Sequence, residues 1–184
     1  MACYSHFSFC GIIYGCGWKK FIRDYPDFPK KGIIFKDILP ILQRPEDFSE
    51  LIKNMSKNQM CLDAEAIISI DARGFIFGTA LSFFTSKPMI VARKPGKLPG
   101  DLISKSYLLE YGENSLSIQK ESLKNYNSYL IVDDLLATGG TVLCVSEILR
   151  EQKKEVTGLS VVAELAELNA REKLTFPVDS QLTL

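Results

Sequence analysis

Four short stretches dominated by apolar residues constrain this chain most: AEAIISI around residues 66–70, PMIVARK at 88–94, SYLIVDD at 128–134 and EVTGLSVVAEL at 155–165. Each reads as a strand, and the near-continuous apolar runs indicate burial on both faces. Between them lie segments of helical periodicity. Residues 45–60 place Phe48, Leu51, Ile52 and Met55 on one face, with Pro45 in the first turn and Glu46 and Asp47 beside it. Residues 74–85 read as a second helix. Residues 141–154 read as a third, with Val142, Val145, Ile148 and Leu149 on one side. Short buried strands alternating with helices predict an α/β fold, a mostly parallel central sheet with helices on both faces.

The intervals carry the remaining organisation. KPGKLPGDLISKSY (94–107) has two prolines, two glycines and few apolar residues, and reads as a long mobile loop. LLEYGENSLSIQK (108–120) reads as a hairpin turning at Gly112 to Asn114. No repeat, low-complexity tract or linker divides the chain, so residues 18–184 form one domain behind an atypical extension, residues 1–17. That extension, MACYSHFSFCGIIYGCG, lacks the charged start of a signal peptide. Cys3, His6, Cys10 and Cys16 are metal-ligand types, but their spacing matches no standard zinc pattern. A nonessential extension or a misplaced start is the plainer account.

Acidic and basic residues balance at 22 each, which gives no bulk attraction to nucleic acid or an anionic membrane. Five cysteines, an odd number, make no disulfide framework and point to a reducing, cytoplasmic setting. No apolar run approaches the roughly 18 residues of a membrane span.

In open sheets of this type ligands bind beyond the carboxyl ends of the strands. DARG (71–74), RKPGKLPG (93–100) and DDLLATGGT (133–141) lie there. In the last, a strand leads through a Thr/Gly-rich turn into a helix, exposing backbone N–H groups where the helix dipole is positive. Thr138 and Thr141 add hydroxyls, and Gly139 and Gly140 permit close approach, a fit for one phosphate monoester. Neither a Walker loop nor GxGxxG is present, and an ordinary strand-to-helix turn is the alternative. Asp133 and Asp134 sit beside this anion nest and would repel a phosphate unless something separates them. A ribose does so, its hydroxyls meeting the acids while its 5′-phosphate meets the nest. A metal site or a helix-dipole pair are the competing explanations.

VDDLLATGGT resembles the phosphoribosyl diphosphate (PRPP) signature of the type I phosphoribosyltransferases, in the wording of their adenine-using branch. IRDYPDFPKKGIIFKDILPIL (22–42), ARGFIFG (72–78), RKPGKLPG, YLLEYG (107–112) and REKL (171–174) are similar to that family in the same order. The resemblance implies the family fold with a small hood and a flexible loop. It implies transfer from PRPP to adenine, giving AMP and pyrophosphate, with Mg²⁺ held mainly by PRPP, and a homodimer. Carried over by residue, Asp133, Asp134 and Ala137 to Thr141 (Thr138, Gly139 and Gly140 between) would bind PRPP or AMP. Asp71, Ala72, Arg73, Arg93, Lys94, Lys97 and Tyr107 would bind pyrophosphate, with a cis peptide at Asp71–Ala72. Ile34, Phe35 and Lys36 would bind adenine, Ile34 and Lys36 through their backbones, and Glu110 would be the acid/base residue. Lys36 stands where many relatives have arginine, and Ala170 where glycine is usual. A PRPP-sensing regulator and an enzyme using hypoxanthine or guanine are the other readings. Such regulators carry a DNA-binding domain, and the 17-residue head is too short for one and has no lysine or arginine.

Overall fold

The computed structural model describes residues 20–109 and 112–184, without the side chains of 107–109 and 112–114. The extension with Cys3, His6, Cys10 and Cys16, and Glu110, lie outside the described residues. In chain order the elements are β1 (Arg23–Pro26), β2 (Ile34–Asp37), α1 (Pro45–Met55), α2 (Gln59–Asp63) and β3 (Ala66–Ile70). Then come α3 (Gly74–Thr85), β4 (Met89–Ala92), β5 (Leu102–Leu109) and β6 (Gly112–Gln119). The last are β7 (Ser128–Leu136), α4 (Gly140–Glu151), β8 (Glu155–Glu164) and β9 (Val178–Thr183).

The central sheet has the order β4-β3-β7-β8-β9, with every pair parallel. Side chains alternate across a strand, so β3 sends Ile68 and Ile70 to one core and Ile67 to the other. The first core is closed by Val142, Val145, Ile148 and Leu149 of α4, with Leu116 and Ile118 of β6. The second is closed by Leu51, Ile52 and Met55 of α1 and Phe77 and Leu81 of α3. Burying each such side chain contributes roughly 1.5–3 kcal/mol. Cys61 and Cys144 belong to these cores as free thiols, and burial pushes both thiols above their ordinary pKa. No helix among the described residues is long and apolar enough to cross a membrane.

Three elements differ from the sequence expectation, and the expected hood takes a form the sequence did not specify. The helix expected over 45–60 breaks after Met55, because Asn58 caps a new one: its side chain accepts from the Cys61 N–H at 2.7 Å. Much of the expected mobile loop is strand. Leu102 to Leu109 pairs with Gly112 to Gln119, which puts Gly112 to Asn114 in a strand rather than at the turn and shortens the loop to the residues before β5. Ser104 and Ser117 lock this hairpin with a 2.7 Å hydroxyl bond. The sheet has a fifth strand, β9, whose sequence VDSQLT is only partly buried and lacks an apolar run. The hood is an antiparallel pair, β1 with β2, and β1 is exposed throughout.

Candidate active site

The carboxyl ends of β3, β4 and β7 meet on one edge of the sheet. At β7, Asp133 and Asp134 are only 9% and 5% exposed. The chain then turns through Ala137 and Thr138 to Gly139, whose φ of +81° is a left-handed value that glycine adopts without strain. Gly139 caps α4, and its carbonyl accepts from Leu143 at 2.9 Å. The first-turn N–H groups of α4 are therefore presented beyond Thr138, which is exposed, beside half-buried Thr141. Burial pushes the Asp133 carboxyl well above the usual range, and the neighbouring Asp134 charge adds to this, while the Asp134 N–H and Arg73 oppose it.

At β3 the Asp71–Ala72 peptide is cis, as the resemblance implies. Asp71 accepts from Arg93 Nε at 3.1 Å, tying the end of β3 to the residue after β4. Arg93 also lies over the Phe75 ring, 5.6 Å from its centroid, and its Nη1 donates to the Lys97 carbonyl at 3.4 Å. Lys94 and Lys97 are exposed. Gly74 follows, so close to β7 that a Cβ there would fall 2.7 Å from Asp133 Oδ1 and 3.1 Å from its Cα.

Arg73 departs from a simple pyrophosphate ligand. Its Nε lies 2.7 Å from Asp134 Oδ2, and its guanidinium sits 4.9 Å over the Phe35 ring. The contact with Asp134 is close without hydrogen-bond alignment. Arg73 Nη1 and Asp134 Oδ2 are both buried with no hydrogen-bond partner among the described residues. Arg73 thus joins the acid pair to the expected base site. Sequence supplied the residue but not this partner, which depends on a side-chain rotamer.

In the hood, Phe35 packs edge-on against Phe28, with centroids 5.2 Å apart. Tyr25, Phe28, Phe35 and Asp37 line an apolar cleft of about 240 Å³. Ile34 is 56% exposed, and Lys36 is turned away into an ion pair with Asp24 at 2.7 Å. Tyr107 lies in β5 opposite Asn114.

The C-terminal turn closes the back of the nest. Ala170 is buried, and its Cβ would lie 3.4 Å from a Cβ on Gly139. The strained position here is Asn169, with φ +48°, so Ala170 in place of glycine does not burden the turn. Arg171 donates to Glu164 Oε2 at 2.6 Å, to the Val178 carbonyl at 2.7 Å and to Ser180 at 3.0 Å, pinning the turn to β8 and β9. Lys173 Nζ donates to the Thr138 carbonyl at 3.2 Å. Within REKL the sequence marked Lys173 only as part of a family stretch; its contact with the nest needed the fold.

This arrangement can hold a molecule with an anion at each end and hydroxyls between. Comparison with known proteins agrees. Residues 37–180 match the phosphoribosyl transferase domain model. An adenine phosphoribosyltransferase of Prochlorococcus marinus (strain MIT 9211) is 65% identical over 161 residues, 88% of this chain and 94% of that protein. The crystal structure of adenine phosphoribosyltransferase from Thermoanaerobacter pseudethanolicus superposes with a TM-score of 0.86 at 38% identity, covering 91% of this chain and 98% of that one. The Saccharomyces cerevisiae enzyme, crystallised with an imino-altritol bisphosphate and adenine, gives 0.82 at 33% identity, covering 89% and 95%. With its acid pair, anion nest and sheet order in place, the chain belongs to the phosphoribosyl transferase family, among the adenine phosphoribosyltransferases.

Proposed function

We propose that this chain transfers the 5-phosphoribosyl group of PRPP to adenine, giving AMP and pyrophosphate, and that the residues above divide the work as follows. What carries the proposal is the buried Asp133–Asp134 pair set between a backbone anion nest and an arginine-bearing strand end. Residues 137–141 take the 5′-phosphate. Asp133 and Asp134 accept from the ribose 3′- and 2′-hydroxyls, and their charge favours the cation that develops as the C1′–O bond breaks. The grip on the distant phosphate orients that carbon for attack.

Asp71, Ala72 and Arg73 face the leaving pyrophosphate, with Arg93, Lys94, Lys97 and Tyr107 closing from the neighbouring segment and excluding water. Backbone groups of Ile34 and Lys36 read the edge of adenine, while the Phe35 ring covers one face once Arg73 moves aside. Glu110 manages the purine proton as N9 forms its bond. Mg²⁺ fits as an ion borne by the substrate. Among the described residues no three ligating side chains converge, and Asp134 Oδ2 is a buried carboxylate oxygen without a hydrogen-bond partner. When bound it offsets the charge on pyrophosphate oxygens, its usual ligands alongside one or two carboxylates.

A cytoplasmic homodimer completes the proposal. The odd cysteine count supports the location. Phe83 and Phe84 on α3, 89% and 51% exposed, are apolar surface that a second copy would cover. The test is a coupled assay with PRPP, Mg²⁺ and each purine base. AMP should form from adenine, at least about 10²-fold faster than nucleotide forms from hypoxanthine or guanine. Tight PRPP binding with no AMP formed would overturn the enzyme and favour a sensor.

A further inference from the structure

We infer that Lys173 is a positioning residue for the phosphate nest: it holds the Thr138–Gly139 peptide in the orientation that aims the Gly139 N–H at the 5′-phosphate. The inference rests on the proposed use of that nest. The peptide is trans, since the only cis bonds among the described residues are Phe28–Pro29 and Asp71–Ala72. In a trans peptide the C=O and N–H point in opposite directions. An ammonium fixed on the Thr138 carbonyl at 3.2 Å therefore turns the Gly139 N–H to the other side. It also polarises the peptide, which strengthens that N–H as a donor.

Three observations separate Lys173 from an ordinary surface lysine. The turn that carries it is rigid: Arg171 is engaged by Glu164, Val178 and Ser180, and Ala170 packs against Gly139. Gly139, at φ +81°, has no Cβ to restrict rotation of the peptide before it. Among the described residues Lys173 has no carboxylate within ion-pair distance, in contrast to its neighbour Arg171. No ion pair therefore competes with an anion in the nest for this charge, which adds to the potential of the α4 N-terminus.

The test uses the full chain with Lys173→Met and Lys173→Arg, and reads the two ends of the substrate separately. Calorimetry gives Kd for ribose 5-phosphate and for pyrophosphate; steady-state assays give KM for PRPP and adenine, and kcat. Lys173→Met should weaken ribose 5-phosphate and raise KM for PRPP about tenfold, the loss of one charge-assisted hydrogen bond. Pyrophosphate affinity and KM for adenine should stay within about twofold, and Lys173→Arg should restore most of the loss. Unchanged ribose 5-phosphate affinity in Lys173→Met would overturn the inference, as would equal weakening of both ligands. Because ribose 5-phosphate binding needs no turnover, a parent protein that binds it without making AMP would remove the proposed reaction and leave this result readable.

Discussion

The ends of β7 and β3 are neighbours in the sheet, yet they are built on opposite plans. At β7 the donors are backbone N–H groups fixed by a left-handed glycine and the first turn of α4, and the side chains are acids. At β3 and β4 the donors are arginines on long side chains. These already have partners: Arg73 has Asp134 and Phe35, and Arg93 has Asp71 and Phe75. On the proposed function, one end is ready before the ligand arrives and the other exchanges partners to bind. A backbone nest costs little reorganisation and suits the part of a substrate that stays put. Arginines that trade partners suit the part that departs.

Replacing Asp134 with asparagine tests the acids of the fixed end. The charge facing both the forming cation and Arg73 is lost, so kcat should fall about 10²–10³-fold, the scale of removing a single electrostatic group at a transition state. Steady-state turnover within threefold of the parent would show that the pair only holds the fold. A smaller effect is expected at the exchanging end. Arg73→Ala should raise KM for pyrophosphate in the reverse reaction about tenfold, while ribose 5-phosphate binding changes less than twofold. Equal losses on both ligands would erase the division between the two ends.

The smallest effect concerns stability. The Asp133 carboxyl titrates above the usual range when folded, chiefly through burial and next through Asp134. The folded state therefore binds the proton more tightly than the unfolded chain. This favours folding below the unfolded pKa of about 4, and the advantage fades as pH rises through the folded value. Asp133→Asn removes the dependence, so its Tm relative to the parent should improve from pH 4 to pH 8. A constant difference across that range would contradict the assignment.

The sheet interior was legible in the sequence because its strands are buried on both faces. AIISI could hardly be anything else, and Ala66 to Ile70 is the strand observed. The edge was not. VDSQLT alternates weakly, and its place beside β8 is decided by tertiary pairing. Of the four-residue hood strands, β1 is exposed throughout and β2 only partly buried, so periodicity does not mark them. In the site, the acids and the glycine turn could be read, since their chemistry depends on residue type and order. The partners of Arg73, Lys36 and Lys173 could not, because a long side chain reaches several places and only the assembled fold selects one.

Gly74 leaves no room for a side chain between α3 and Asp133. The start of α3 thereby lies directly against the acid end of β7, the neighbouring strand at a spacing of about 4.8 Å. Any substitution of Gly74 that adds a Cβ would have to push the helix and Asp133 apart, and so would disturb both ends of the proposed donor site at once.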